Sequence, residues 1–184
     1  MRVDLPLEEE TIRKLKVGDN VEFYGTIYTA RDVAHSRLVD LIEKGEKLPM
    51  ELQGQVIFYV GPAPAKPGEP IGSAGPTTSY RMDGFAPILL DNGLKGMIGK
   101  GPRSKDVKDS IVKNKAVYCS AVGGAGALIA SSIKSAEVIA YPDLGTEAVR
   151  KLKVEGLPAI VVNDMYGNDL YEQGRKEYEI KAMF

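Results

Sequence analysis

Three short segments concentrate the reactive side chains of this chain: Thr29-Ala30-Arg31-Asp32, Gly75-Pro76-Thr77-Thr78-Ser79-Tyr80-Arg81 and Lys100-Gly101-Pro102-Arg103-Ser104. Each links the end of an apolar, strand-like run to a helix-like stretch. Each also sets a cation or hydroxyl beside backbone N–H groups, the chemistry of an anion site. A helix opening near Thr77 would place Thr77 and Arg81 on one face at its positive end. A carboxylate there would meet N–H groups, a hydroxyl and a guanidinium together. Pro76 suits a helix start, and Gly75 admits close approach of ligand to backbone. Read together, the segments predict one pocket for a small carboxylate. Nothing in the sequence holds a metal cluster or completes a nucleophilic triad, so the predicted pocket is half of an active site.

Plainer accounts stand beside each of these readings. The Thr77–Arg81 pair also fits an ordinary capped helix with a solvated arginine. Arg31 falls in a first helical turn, where a cation opposes the helix dipole and calls for an anion to offset it; Asp32 alone can do so. Lys100, between Gly99 and Gly101, is a third candidate cation, and Arg103 is either a fourth or an exposed surface residue. His35 is the only histidine and lies one turn beyond Arg31. Proton transfer is geometrically open to it, but a supporting role, holding Arg31 or a loop in place, is the preferred reading. The glycine-rich run Gly123-Gly124-Ala125-Gly126-Ala127 has neither a Walker lysine nor dinucleotide-binding spacing. Close helix–sheet packing explains it better.

The elements that must position these residues follow from periodicity. Val3 to Leu5 predicts a strand and Leu7 to Leu15 a helix whose acidic start and basic end match its dipole. Val21 to Tyr28 alternates and is rich in aromatic and β-branched residues, a strand. Thr29, three residues before Asp32, predicts an N-cap for a helix over 31–44. Gln55 to Val60 is a short, wholly apolar strand, and 63–73 a long aperiodic loop rich in Pro and Gly. A helix is expected over 78–90, then strand 96–99, helix 104–113, strand 116–121, helix 125–133 and strand 136–140. Residues 151–154 and 159–163 predict two further strands, with a turn at 164–168; the last dozen residues show no clear pattern. This alternation argues for crossover units, an α/β fold with a mixed, partly parallel sheet.

The 184 residues are expected to form a single domain, 1–184, large enough to bury a core without staples. Twenty-four Lys and Arg against 25 Asp and Glu leave no basic field to attract nucleic acid. The single cysteine, Cys119, sits in an apolar run, which excludes an internal disulfide and a multi-thiolate metal site. The N-terminus lacks the pattern of a signal peptide, and no apolar run is long enough to span a membrane. A cytoplasmic protein with no membrane association is expected.

The blocks Ala30-Arg31-Asp32-Val33-Ala34-His35, Gly75 to Asp83, Lys100-Gly101-Pro102-Arg103-Ser104, Gly123-Gly124 and Ile133-Lys134-Ser135 together resemble the β-subunit of class I, iron–sulfur-dependent fumarate hydratases and the related L-tartrate dehydratases. The likeness runs in order from about Val3 into the 160s. It implies a three-layer β/β/α swivelling domain, present in that family either as a separate subunit or as the C-terminal domain of a longer chain. It also implies a [4Fe–4S] cluster held by an α-subunit partner, with none bound by this chain, whose open iron acts on the substrate hydroxyl and a carboxylate. By the same resemblance Arg31, Arg81 and Lys100 bind substrate carboxylates, and Thr77 is the base that removes a proton beside a carboxylate. Asp32 and His35 support them. An alcohol is a very weak base near neutral pH, so neighbouring cations would have to stabilise its alkoxide. Ser79-Tyr80 departs from the small residues usual there, which bears on substrate choice. Fumarate and L-malate are the implied substrates; tartrate, or small-anion binding without turnover, are the alternatives, and a homo-oligomer is compatible with the sequence.

Overall fold

The computed structural model describes residues 1–177 and 179. Seven strands form one mixed sheet: β1 (Arg2–Asp4), β2 (Asn20–Thr29), β3 (Val56–Phe58), β4 (Gly96–Gly99), β5 (Val117–Ser120), β6 (Ile133–Ala140) and β7 (Val149–Asn163). Neighbours from β1 to β5 run parallel, and β7 is antiparallel to β2, β5 and β6. Because β7 pairs with both β2 and β5, the ladder β2-β3-β4-β5-β7 closes on itself. Helices α1 (Glu9–Lys14), α2 (Asp32–Glu43), α3 (Ala86–Asp91) and α4 (Lys105–Lys113) lie in the connections between parallel strands, as crossovers require; α5 (Gly126–Ser131) precedes β6 and α6 (Leu170–Glu177) follows β7. None of the described helices is long and apolar enough to cross a membrane.

The inner parallel strands β3, β4 and β5 read as continuous apolar runs because both of their faces are covered. Val56, Phe58 and Cys119 enter a core with Phe23, Leu152 and Val161. The alternate residues Ile57, Tyr59 and Tyr118 enter a second core with Leu38 and Leu89. Cys119 is fully buried in its strand, as its apolar surroundings imply.

Three sequence expectations need correction. Thr29 does not cap a helix: it is the last residue of β2 and fully buried, donating from Oγ1 to the Ala148 carbonyl at 3.2 Å and accepting from the Arg150 N–H at 3.0 Å. The N-cap of α2 is Arg31, in extended conformation. The helix over 78–90 is broken into a 3₁₀ turn, Ser79–Met82, and α3. Pro87 lacks an N–H and restricts the residue before it, so it is accommodated only in the first turn of a helix, where α3 places it. Finally, 151–154 and 159–163 are one strand. Gly156, at φ 73°, is an extra residue between Glu155, opposite Tyr24, and Leu157, opposite Phe23, so a bulge carries β7 through what reads as a break. The patternless last dozen residues begin within α6, and their remainder, with the end of the expected 1–184 domain, lies outside the described residues apart from residue 179.

Gly99 ends β4 with no room for a side chain. A Cβ there would lie 2.0 Å from Ser79 Oγ and 2.9 Å from Tyr59 Cδ2. Gly99→Ala is expected to destabilise the chain by about 1–3 kcal/mol in denaturant titration, since overpacking forces both neighbours from their rotamers.

Candidate active site

Crossover connections leave from the carboxyl ends of the parallel strands, where open α/β sheets assemble their sites. Arg31 and Asp32 follow β2, the segment 61–81 follows β3, Lys100 follows β4 and the 121–126 loop follows β5. The segments are tied together by main-chain contacts. The Thr77 N–H donates to the Tyr59 carbonyl at 2.7 Å, Pro76 bridges Val60, and Thr78 bridges Lys100. Ala74 N–H donates to the Gly126 carbonyl at 3.0 Å. A Cβ on Gly126 would come within 2.4 Å of Ser73 Oγ and 3.0 Å of the Gly75 N, so this glycine lets the start of α5 pack on the 73–75 segment, where the sequence suggested packing of helix on sheet.

On one side of this surface runs a chain of alternating charges. Glu147 Oε1 lies 3.3 Å from Arg31 Nη2, whose other carboxylate neighbour, Asp32 Oδ2, is 3.8 Å away. Asp32 Oδ1 accepts from Arg81 Nε at 2.7 Å. Glu147 Oε2 also accepts from the Val33 N–H at 3.4 Å, placing a carboxylate at the positive end of α2. The dipole conflict raised by a cation at this helix start is thus offset by two acids, Asp32 and Glu147. Sequence alone supplied only the first, because Glu147 lies more than a hundred residues away in the 3₁₀ turn Pro142–Glu147. The Arg31 side chain, only 18% exposed, lies across Gly61, where a Cβ would fall 2.5 Å from Nη1.

On the other side, a relay of hydrogen bonds fixes Lys100. Its N–H donates to Ser79 Oγ at 3.0 Å, Ser79 Oγ lies 2.9 Å from Tyr118 Oη, and Tyr118 Oη donates to the Gly101 carbonyl at 2.8 Å. The Tyr118 proton is spent on the carbonyl, so the Ser79 hydroxyl is the donor of the middle link. The Lys100 carbonyl in turn accepts from the Ser79 N–H at 2.9 Å. Its ammonium enters none of the ion pairs among the described residues, and its stem passes 3.9 Å from the Cβ position of Gly123. Arg81 engages Asp32 through Nε and is 42% exposed.

Two expectations fail here. The Thr77 N–H is not available to a carboxylate, because it is bound to Tyr59 and no α-helix begins at Thr77; what Thr77 presents is its half-buried side chain. Arg103 is neither exposed nor a fourth open cation. Its side chain is fully buried, donates from Nε to Asp83 Oδ1 at 2.7 Å and lies over the rings of Tyr118 and Tyr59, 4.9 and 5.4 Å from their centroids. Asp83 Oδ2 also accepts from the Ser104 N–H at 2.7 Å. The pair fastens the Lys100–Ser104 turn to the 3₁₀ segment that carries Arg81.

His35 is fully buried, with its ring edge-on to Tyr59 at 5.2 Å. Nδ1 lies 2.9 Å from the Arg31 carbonyl, an acceptor, which assigns the proton to Nδ1. Burial, reinforced by the nearby Arg103 charge, lowers its pKa to about 4 despite the opposing carbonyl bond and Asp32. It is neutral at physiological pH, and its ring binds the Arg31 carbonyl. Its folded pKa lies below the unfolded value near 6.5, so the unfolded chain gains a proton first as pH falls. Stability from this group is present above pH 6.5 and declines between pH 6.5 and about 4, by roughly 3 kcal/mol in all. Denaturant titrations across that window should show the decline in the native chain and a flatter profile in His35→Gln.

The Fumarase C-terminus family matches residues 1–174. The anaerobic class I fumarate hydratase of Escherichia coli K12 is 40% identical over 179 residues, covering 94% of this chain and 33% of that protein. Fumarate hydratase 2 of Leishmania major is 38% identical, covering 94% of this chain and 32% of its own length. The chain thus spans about one third of the fumarate hydratases it matches. A putative L(+)-tartrate dehydratase subunit beta from Methanocaldococcus jannaschii is 39% identical, and there the match covers 94% of this chain and 92% of the relative. A family match over nearly all of the chain, joined to a relative matched almost end to end, places this protein in the Fumarase C-terminus family, among the relatives of class I fumarate hydratases and tartrate dehydratase β-subunits.

Proposed function

We propose that this chain is the β-subunit of a two-component, iron–sulfur-dependent hydro-lyase of the cytoplasm that interconverts fumarate and L-malate, and that it binds the substrate carboxylates and supplies the base. The observation that carries this reading is the gathering of Arg31, Arg81, Lys100 and Thr77 at the carboxyl ends of neighbouring parallel strands, with Lys100 unpaired among the described residues and the Arg81 fork engaged only through Nε. Three cations set against Asp32 and Glu147 leave a net positive site, suited to a dianion. The second reading, tartrate as substrate, draws on the end-to-end match to the tartrate dehydratase subunit. Cores on both faces of the parallel strands support a three-layer β/β/α arrangement; that it swivels as a unit is what the family resemblance implies.

The donors of this chain do not fit an iron–sulfur cluster. Among the described residues no group of three or more His, Cys, Asp or Glu converges to hold a metal. Cys119 is buried in a strand, and burial pushes its thiol far above the usual range, which disfavours the thiolate a cluster needs. In this reading the cluster belongs to an α-subunit partner. The residues of this chain grip and orient the diacid, and Thr77 Oγ1 takes the proton from the carbon beside a carboxylate. Lys100 and the arginines stabilise both the alkoxide and the charge that moves onto the carboxylate as the C–H bond breaks.

Anaerobic mixing with a cluster-bearing α-subunit tests the assignment: turnover of fumarate supports it, turnover of tartrate selects the second reading, and anion binding without turnover of either removes both. In the assembled enzyme Thr77→Ala should lower kcat by about 10²–10⁴-fold with KM little changed; full activity in that variant would remove Thr77 as base. Arg81→Ala should impair kcat and KM together. Gly61→Ala should displace the Arg31 guanidinium from Glu147 and raise KM several-fold.

A further inference from the structure

A groove of about 280 Å³ opens beyond the Lys100 side of the site. Its lining includes Val122 after β5, Leu128 and Ile129 on α5, Pro158 and Ile160 on β7, and Met1. Leu128 is 64% exposed and Val122 61%, values matched among the described large hydrophobic side chains only by Tyr80 at 65%; Met1 is 51% exposed. Large apolar side chains gathered around one concavity mark a surface made to be covered.

We infer that this groove seats an apolar anchor of the cluster-bearing polypeptide, the partner invoked in the proposed function, on which this inference rests. Two observations identify that occupant. The matching family is described as the C-terminus of fumarase, and the matched segment is one third of the fused hydratases. The rest of those proteins therefore precedes the segment and joins it on its N-terminal side. Here Met1 lines the groove, and its ammonium group donates to the Asn20 carbonyl at 2.6 Å, so a chain arriving from a fused partner region would pass along this wall. The groove also lies beside the Lys100 loop. Val122 adjoins Gly123, whose Cβ position is 3.9 Å from Lys100 Cδ. A partner that closes over substrate at Lys100 would extend directly onto Val122 and Leu128. With apolar side chains dominating the walls, the anchor is an aliphatic or aromatic side chain rather than a charged one.

The test uses the cluster-bearing chain of the same source, identified as a homologue of the first two thirds of the class I fumarate hydratases, in sedimentation and calorimetric titration. Leu128→Asp should weaken the complex by about 100-fold, and Leu128→Ser by a smaller factor. The melting temperature of the isolated chain should not change, because Leu128 is mostly exposed. Val112→Asp, on the exposed face of α4 and outside the groove, should bind normally. A complex that Leu128→Asp and Leu128→Ser leave intact would overturn the groove assignment and spare the two-component reading. No complex with the unsubstituted chain would overturn both. Should the isolated chain dimerise, and Leu128→Asp abolish the dimer while sparing the mixed complex, the occupant would be a second copy and the inference would fail.

Discussion

The antiparallel pairing of β7 with β2 on one edge and with β5 on the other is the constraint from which the rest of the arrangement follows. Four parallel strands, β2 to β5, would otherwise expose an edge at each end, with unpaired N–H and C=O groups inviting association. One fifteen-residue strand closes both edges. Its bulge at Gly156 lets it keep register with β2 on either side of a bend. Closure fixes the strand ends relative to each other, and so fixes the loops that carry Arg31, Thr77, Arg81 and Lys100.

Upon that frame, electrostatics divides the site into a satisfied half and an open half. The Glu147–Arg31–Asp32–Arg81 chain alternates charges between groups that are partly buried, where an isolated cation would lose its hydration without return. Lys100 is fixed instead through its backbone, by the Ser79–Tyr118–Gly101 relay, which leaves its ammonium unpaired among the described residues. The buried Arg103–Asp83 pair lies between the two halves and rests on the faces of Tyr59 and Tyr118. It belongs to the scaffold and locks the loops after β3 and β4 together. A buried neutral His35 does the same for the start of α2. Rigid, buried support thus lies beneath the exposed Arg81.

Thr77 has its N–H committed to Tyr59, so its main chain cannot drift, while the loop it belongs to is bridged to Lys100 at the next residue.

Much of this was legible in the chain itself. Wholly apolar four- to six-residue runs alternating with amphipathic stretches specify buried parallel strands and crossovers, because such a run satisfies its surroundings only between two covered faces. The same alternation puts the residue after each strand at one end of the sheet, which is why Arg31, the 75–81 segment and Lys100 could be grouped before any contact was known. What depended on distant partners was not legible. Thr29 looks like a cap until Ala148 and Arg150 arrive to bind its hydroxyl. Arg103 looks exposed until Asp83 and two tyrosines enclose it, and Glu147 carries no local mark of its role. Local pattern determined the elements and their order, since backbone hydrogen bonding and side-chain periodicity act over a few residues. Which charges neutralise each other, and which are left for a ligand, was decided only by the tertiary structure, because those energies depend on burial and on contacts between residues far apart in sequence.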